Sequence, residues 1–96
     1  MSKEEIKNIL ALQLSFLKEK YHVKRLGIFG SVVRNEEEKE SDIDILVEFE
    51  SPIGFFEFIR LENFLSDILR KKVDLISQKA IKPIIKDDIL KETIYV

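Results

Sequence analysis

Leu26-Gly27-Ile28-Phe29-Gly30-Ser31-Val32-Val33-Arg34, followed after a charged stretch by Ser41-Asp42-Ile43-Asp44-Ile45-Leu46-Val47-Glu48-Phe49, decides how this chain reads. A short apolar strand runs into Gly30-Ser31, and a second strand opens on two carboxylates spaced by one residue. Glycine lets a backbone come close to a phosphate, and the N–H groups of a serine-bearing turn can hold an anion. Asp42 and Asp44 are two apart on a strand, so both carboxylates project from one face. Like charges that close repel. Mg²⁺ compensates them with hard oxygen ligands, usually one or two carboxylates plus substrate phosphates. Singly, neither part says much: Asp-x-Asp is common on solvated strand ends, and Gly-Ser is an ordinary turn. In this fixed order they pair an anion cradle with a divalent-metal clamp, the parts needed to transfer a nucleotide from a triphosphate.

The rest of the chain can be read outward from that core. Ser2 with Glu5 makes a capping box. Ile6, Leu10, Leu14, Leu17 and Tyr21 then recur at helical spacing, which predicts a first helix to about residue 20. The first strand covers 24–29, a brief helix runs from Ser31 to about Arg34, and 36–40 is a charged, exposed loop. On the second strand, over 42–49, Ile43, Ile45, Val47 and Phe49 take one face and Asp42, Asp44, Leu46 and Glu48 the other. Ser51-Pro52 opens a helix, with proline tolerated in the first turn. Its buried stripe reads Phe55, Phe58, Leu61, Leu65, Ile68 and Leu69, and Arg70, Lys71 and Lys72 sit at its cation-favouring end. A third strand covers 73–77, a last helix covers 80–91 with Pro83 near its start, and 93–96 adds a terminal strand.

Part of the topology can be deduced. If Gly30-Ser31 and the Asp pair share one site, the end of the first strand lies near the start of the second, so the two run antiparallel. Asp74, near the start of the third strand, reaches that site only if its strand is parallel to the second. The intervening helix then makes a right-handed crossover. The expected fold class is α+β: a small mixed sheet packed with about four helices.

Composition narrows the functions. Ninety-six residues, 45% of them hydrophobic, make one domain over 1–96 with a real core and little material to spare. No apolar run reaches the roughly 18 residues of a membrane span, and the N-terminus carries no signal pattern. With no cysteine, disulfides and thiolate metal sites are excluded. The expectation is a cytoplasmic protein. A net charge of -2 is a poor footprint for stand-alone nucleic-acid binding.

Two further residues join the candidate site. Asp74 is the third carboxylate. Three carboxylates could hold two metals about 3.5–4 Å apart, the spacing for in-line phosphoryl displacement. Asp74 is then the base for the incoming hydroxyl, or positions the metal that activates it. Arg34, one turn after Ser31, can contact phosphate oxygens. Ser41 shapes the turn before the Asp pair. Other motifs fail: there is no P-loop, Leu46 stands where an EF-hand wants an oxygen ligand, and the single histidine, His22, falls in the turn after the first helix. Phe55, Phe56 and Phe58 read as core or partner surface rather than a base-stacking platform, their helical spacing favouring core.

Gly30-Ser31-x10-Asp42-x-Asp44 with Asp74 downstream resembles the DNA polymerase β-like nucleotidyltransferase superfamily. The short chain resembles its minimal nucleotidyltransferase family, the MNT-domain antitoxins of HEPN-domain toxins. The resemblance runs from Leu26 through Arg34, through Ser41 to Val47, and through Lys72-Val73-Asp74-Leu75-Ile76. It continues, less specifically, to the tail around Ile89-Leu90-Lys91-Glu92. It implies that Gly30 and Ser31 hold the phosphates of ATP, that Asp42 and Asp44 bind Mg²⁺ and that Asp74 completes the triad. It also implies transfer of AMP to a tyrosine of a partner HEPN ribonuclease in a hetero-oligomer. Two rival readings are a non-catalytic nucleotide-binding antitoxin that neutralises its partner by binding, and a transferase acting on a small molecule.

Overall fold

The structure is a computed structural model that describes residues 1–34 and 42–96. The loop expected over 36–40 and the turn assigned to Ser41 lie outside the described residues. Helix α1 (Lys3–Tyr21) starts on the capping box read in the sequence. The Glu5 N–H donates to Ser2 Oγ and the Ser2 N–H to Glu5 Oε1, both at 3.2 Å. The exchange satisfies two backbone donors that the first helical turn would leave orphaned. Ile6, Leu10, Leu17 and Tyr21 are its buried residues. The helix stops at His22, which adopts a left-handed conformation (φ 58°) and returns its N–H to the Leu17 carbonyl.

Strands β1 (Val23–Phe29), β2 (Ile43–Phe49), β3 (Val73–Ser77) and β4 (Ile94–Tyr95) form one sheet in the order β3-β2-β1-β4. β1 and β2 are antiparallel and β2 and β3 parallel, as the shared-site argument requires. Ile28, Ile45 and Leu75 are in register across the three strands and all enter the main core. Phe29, Asp44 and Asp74 form the adjacent register row. By strand alternation that row faces the other way.

The two faces of the sheet are unequal. Helices α1 and α2 (Phe55–Leu69) contribute Leu10, Leu17, Leu61 and Leu65, all fully buried, to the main core. The opposite face carries a small cluster of Phe29, Leu46 and Ile81, against which Ile89 and Leu90 of helix α3 (Pro83–Glu92) pack. Strand β3 is an edge, where unpaired N–H groups need partners. Side chains of α2 supply them: the Val73 N–H donates to Ser66 Oγ at 3.0 Å and the Leu75 N–H to Glu62 Oε2 at 2.9 Å.

Five expectations are corrected. The helix after Ser31 is only a single 3-10 turn over Gly30–Val32, and residues Gln78–Ala80 form another, so the last helix begins at Pro83. The described residues thus hold three α-helices rather than about four. Helix α2 begins at Phe55, not at Pro52, because Gly54 is extended and takes the N-cap position, which glycine favours. Phe55 and Phe56 are 72% and 74% exposed and are not core, whereas half-buried Phe58 packs on Phe49 with ring centroids 6.3 Å apart. Helical spacing identifies a face but not where along the helix the covered part begins.

The C-terminal strand closes against β1 through a glycine. A Cβ on Gly27 would lie 2.6 Å from Thr93 Cγ2 and 3.1 Å from the Ile94 carbonyl oxygen. The Val96 N–H donates to the Leu26 carbonyl at 2.9 Å, and the Arg25 guanidinium lies 4.4 Å from the Tyr95 ring centroid. Gly27→Ala should therefore push β4 away and destabilise the fold by about 1–3 kcal/mol, the cost of overpacking. Urea unfolding checks it, and an unchanged midpoint would rule out this close approach.

Candidate active site

The site stands where three chain segments meet: the end of β1 with its 3-10 turn, the start of β2 and the start of β3. Gly30 is buried and has φ 76°, a conformation other residues adopt at a cost. A Cβ there would overlap Asp44 Oδ2 and lie 3.0 Å from Asp44 Cγ. Glycine is needed twice over: for the sharp bend and for the carboxylate that rests against it. Ser31 comes next, half-buried, and Arg34 is exposed at the end of the turn.

Asp44 is the electrostatic centre. It is half-buried and in register with Asp74. Its pKa is pushed up to about 6, first by burial and then by the negative charges of Asp74 and Asp42. Arg34 acts in the opposite direction, and Glu92 adds a smaller upward push. Asp42, just before β2, has Oδ2 at 3.8 Å from Lys72 Nζ. Asp74 is exposed. Among the described residues, no three acidic, His or Cys side chains are gathered tightly enough to form a ready metal site. Mg²⁺ does not require one, because phosphate oxygens and water complete its shell around one or two carboxylates. Asp44, whose charge Asp42 and Asp74 oppose, offers with them the hard carboxylate oxygens that a divalent cation takes. The residues therefore fit the group.

Glu92 is a member that the site analysis of the sequence missed. The Gly30 N–H donates to Glu92 Oε1 at 2.9 Å, and Arg34 Nη1 donates to Oε1 at 3.0 Å and Oε2 at 2.9 Å. It stands 62 residues from Gly30, and no local spacing marks it. The resemblance touched it only through the unspecific tail. By contrast, a cleft of about 450 Å³ lined by Phe49, Ile53, Phe58, Ser77, Lys79 and Lys86 lies toward the far ends of β2 and β3. It contains none of Asp42, Asp44 and Asp74.

Comparison with known proteins places these residues in a lineage. Residues 10–96 match the family described as nucleotidyltransferase domain. A proposed protein adenylyltransferase of Methanocaldococcus jannaschii is 50% identical over 93 residues, covering 96% of this chain and 95% of its own. The protein adenylyltransferase MntA of Thermococcus cleftensis is 41% identical over 93 residues, covering 97% and 94%. Among solved structures, one described as a minimal nucleotidyltransferase superposes with a TM-score of 0.83 at 32% identity, over 98% of this chain and 95% of that one. A Shewanella oneidensis complex of an MNT antitoxin with a tri-AMPylated HEPN toxin has a TM-score of 0.68 at 16% identity, over 94% and 70%, a likeness of fold alone.

The strain on Asp44 is measurable. Its folded pKa of about 6 lies above the ordinary 3.8, so between those pH values the folded chain binds more protons than the unfolded one. Stability contributed by this group therefore falls as pH rises through that window, the reverse of a salt-bridged aspartate. In metal-free buffer, Asp44→Asn should be more stable than the parent at pH 7.5, by on the order of 1 kcal/mol after solvent screening. The gap should close near pH 4. Thermal melts at both pH values check it, and a less stable variant at pH 7.5 would contradict the crowding of charge.

Proposed function

The chain belongs to the nucleotidyltransferase domain family, and from that premise we propose that it is an Mg²⁺-dependent protein adenylyltransferase and antitoxin. It transfers AMP from ATP to a tyrosine of a partner HEPN-domain toxin. The observation that carries the reading is the register of Asp44 beside Asp74, with the Asp44 carboxylate against Gly30 and its charge opposed by both other acids. Clustered acids like these suit chemistry on a metal–triphosphate complex. The adenylyltransferase names of relatives that cover nearly the whole chain support the substrate. The fold shared with a HEPN-bound antitoxin supports the partner.

In this reading Asp42 and Asp44 hold Mg²⁺, and Gly30, Ser31 and Arg34 receive the phosphates. When bound, the metal neutralises triphosphate charge and polarises the phosphorus under attack. Asp74 takes the proton of the tyrosine hydroxyl or orients that hydroxyl. The phenolic oxygen then bonds to the α-phosphorus, the bond to the bridging oxygen breaks, and pyrophosphate leaves. The acidic cluster also holds off solvent anions that carry no cation. The chain acts as a single domain in a hetero-oligomer with its toxin and does not bind nucleic acid stably by itself. No described helix is long and apolar enough to cross a membrane, and we place the protein in the cytoplasm.

The test is incubation with labelled ATP, Mg²⁺ and the product of the neighbouring reading frame. Label should pass to that protein. Asp42→Ala and Asp44→Ala should each reduce transfer by about a thousandfold, corresponding to several kcal/mol of metal-borne charge stabilisation. Toxin neutralisation that survives both substitutions would replace catalysis with binding alone. Label found only on added small molecules would remove the protein acceptor.

A further inference from the structure

Glu92 occupies the donors to which the nucleotide reading assigns phosphate. Its carboxylate accepts from the Gly30 N–H and from Arg34, all at 2.9–3.0 Å. A carboxylate and a phosphate ask for the same partners, N–H groups and a guanidinium. The occupant is also tethered. Glu92 is the last residue of α3, and both the N–H and the hydroxyl of Thr93 bond back to the Ile89 carbonyl. Two residues on from Glu92, β4 is locked to β1, with Ile94 opposite Ile28. The backbone of Glu92 is held from both sides, so only its side chain can swing.

A group tethered this way competes at an effective concentration of millimolar or more. An anion arriving without a cation meets that competitor and three further acids, Asp42, Asp44 and Asp74. An anion that brings a divalent cation neutralises the acids and gains their ligation in exchange. Displacing Glu92 costs both classes the same, so the acids and the cation set the difference between them and Glu92 sets the threshold that each must clear.

We propose that Glu92 is an affinity-setting residue: a resident competitor for the phosphate cradle that raises the threshold for every phosphate, so that metal-free phosphate falls below it and a metal-loaded triphosphate clears it. The proposal rests on the nucleotide-site reading given above. It assigns the C-terminal segment a part in substrate choice. Release of pyrophosphate would let Glu92 return to Gly30 and Arg34, which resets the cradle after each transfer.

Calorimetric titration of the full chain separates the outcomes. The probes are Mg²⁺ with a non-hydrolysable ATP analogue, and inorganic phosphate alone. Glu92→Gln keeps the size and one acceptor oxygen but removes the charge, whereas Glu92→Ala removes the competing carboxylate altogether. Relative to the parent, both variants should bind the Mg²⁺–nucleotide about tenfold tighter, the scale of one charge-assisted hydrogen bond. Both should gain measurable binding of inorganic phosphate at millimolar concentration, which the parent lacks. Lys91→Ala, a neighbouring surface change, should behave as the parent. If the glutamine and alanine variants bind the nucleotide equally or more weakly, Glu92 is scaffolding and the proposal fails. A thermal melt confirms folding, and if Glu92→Ala is unfolded, the isosteric glutamine variant decides alone. If the folded parent and the folded variants all fail to bind Mg²⁺–nucleotide, the nucleotide reading falls first and the proposal with it. That pattern cannot be mistaken for the failure of Glu92 alone.

Discussion

A carboxylate pressed against a glycine is the constraint around which this molecule is arranged. Asp44 lies where a Cβ on residue 30 would be, and its own charge is disfavoured by burial and by two neighbouring acids. Such an arrangement costs folding free energy and persists only because the surrounding structure over-determines it. β1 ends where β2 begins, and β2 cannot shift by one residue without sending Ile43, Ile45 and Val47 out of the main core. The hydrophobic register thus holds an electrostatically unfavourable site in place.

The unequal faces of the sheet divide the labour. One face, under α1 and α2, buries nearly all of the large apolar side chains and supplies the stability. Among the described residues, the other has Phe29, Leu46 and Ile81 as its buried cluster, next to the row that holds Asp44 and Asp74. A lightly covered face leaves room for charged groups that a dense core would exclude. α3 and β4 then bring the C-terminus back across β1, which carries Glu92 to the bend after that strand. In a chain of 96 residues, folding back in this way lets one short segment serve both packing and the site.

Exposed apolar groups remain. Phe55, Phe56 and Ile84 are each more than 70% exposed, at the first turns of α2 and α3. Helical period alone assigns Phe55 and Phe56 to the core, because it carries no information on where the helix begins. The proline at 52 has the character of a start signal, but Gly54 takes the cap and moves the first turn forward. The segment after Ser31 departs from expectation for a similar reason. Gly30 has φ 76°, and the chain beyond it makes one 3-10 turn rather than a helix.

Sequence alone determined whatever depends on near neighbours along the chain. Ser2 and Glu5 are three apart and meet across one turn; Asp42 and Asp44 share a face because a strand alternates. Strand directions were also legible, but only by requiring Gly30, Asp44 and Asp74 to converge, which the pairing bears out. Side-chain partnerships between distant segments were not legible, because no periodicity links residues 30 and 92. Tertiary structure alone decided that Glu92 meets Gly30 and Arg34, that Asp44 is half-buried beside two other acids, and that Phe55 and Phe56 stay exposed. Burial and long-range contact depend on how whole layers stack, and local pattern constrains that stacking without fixing its ends.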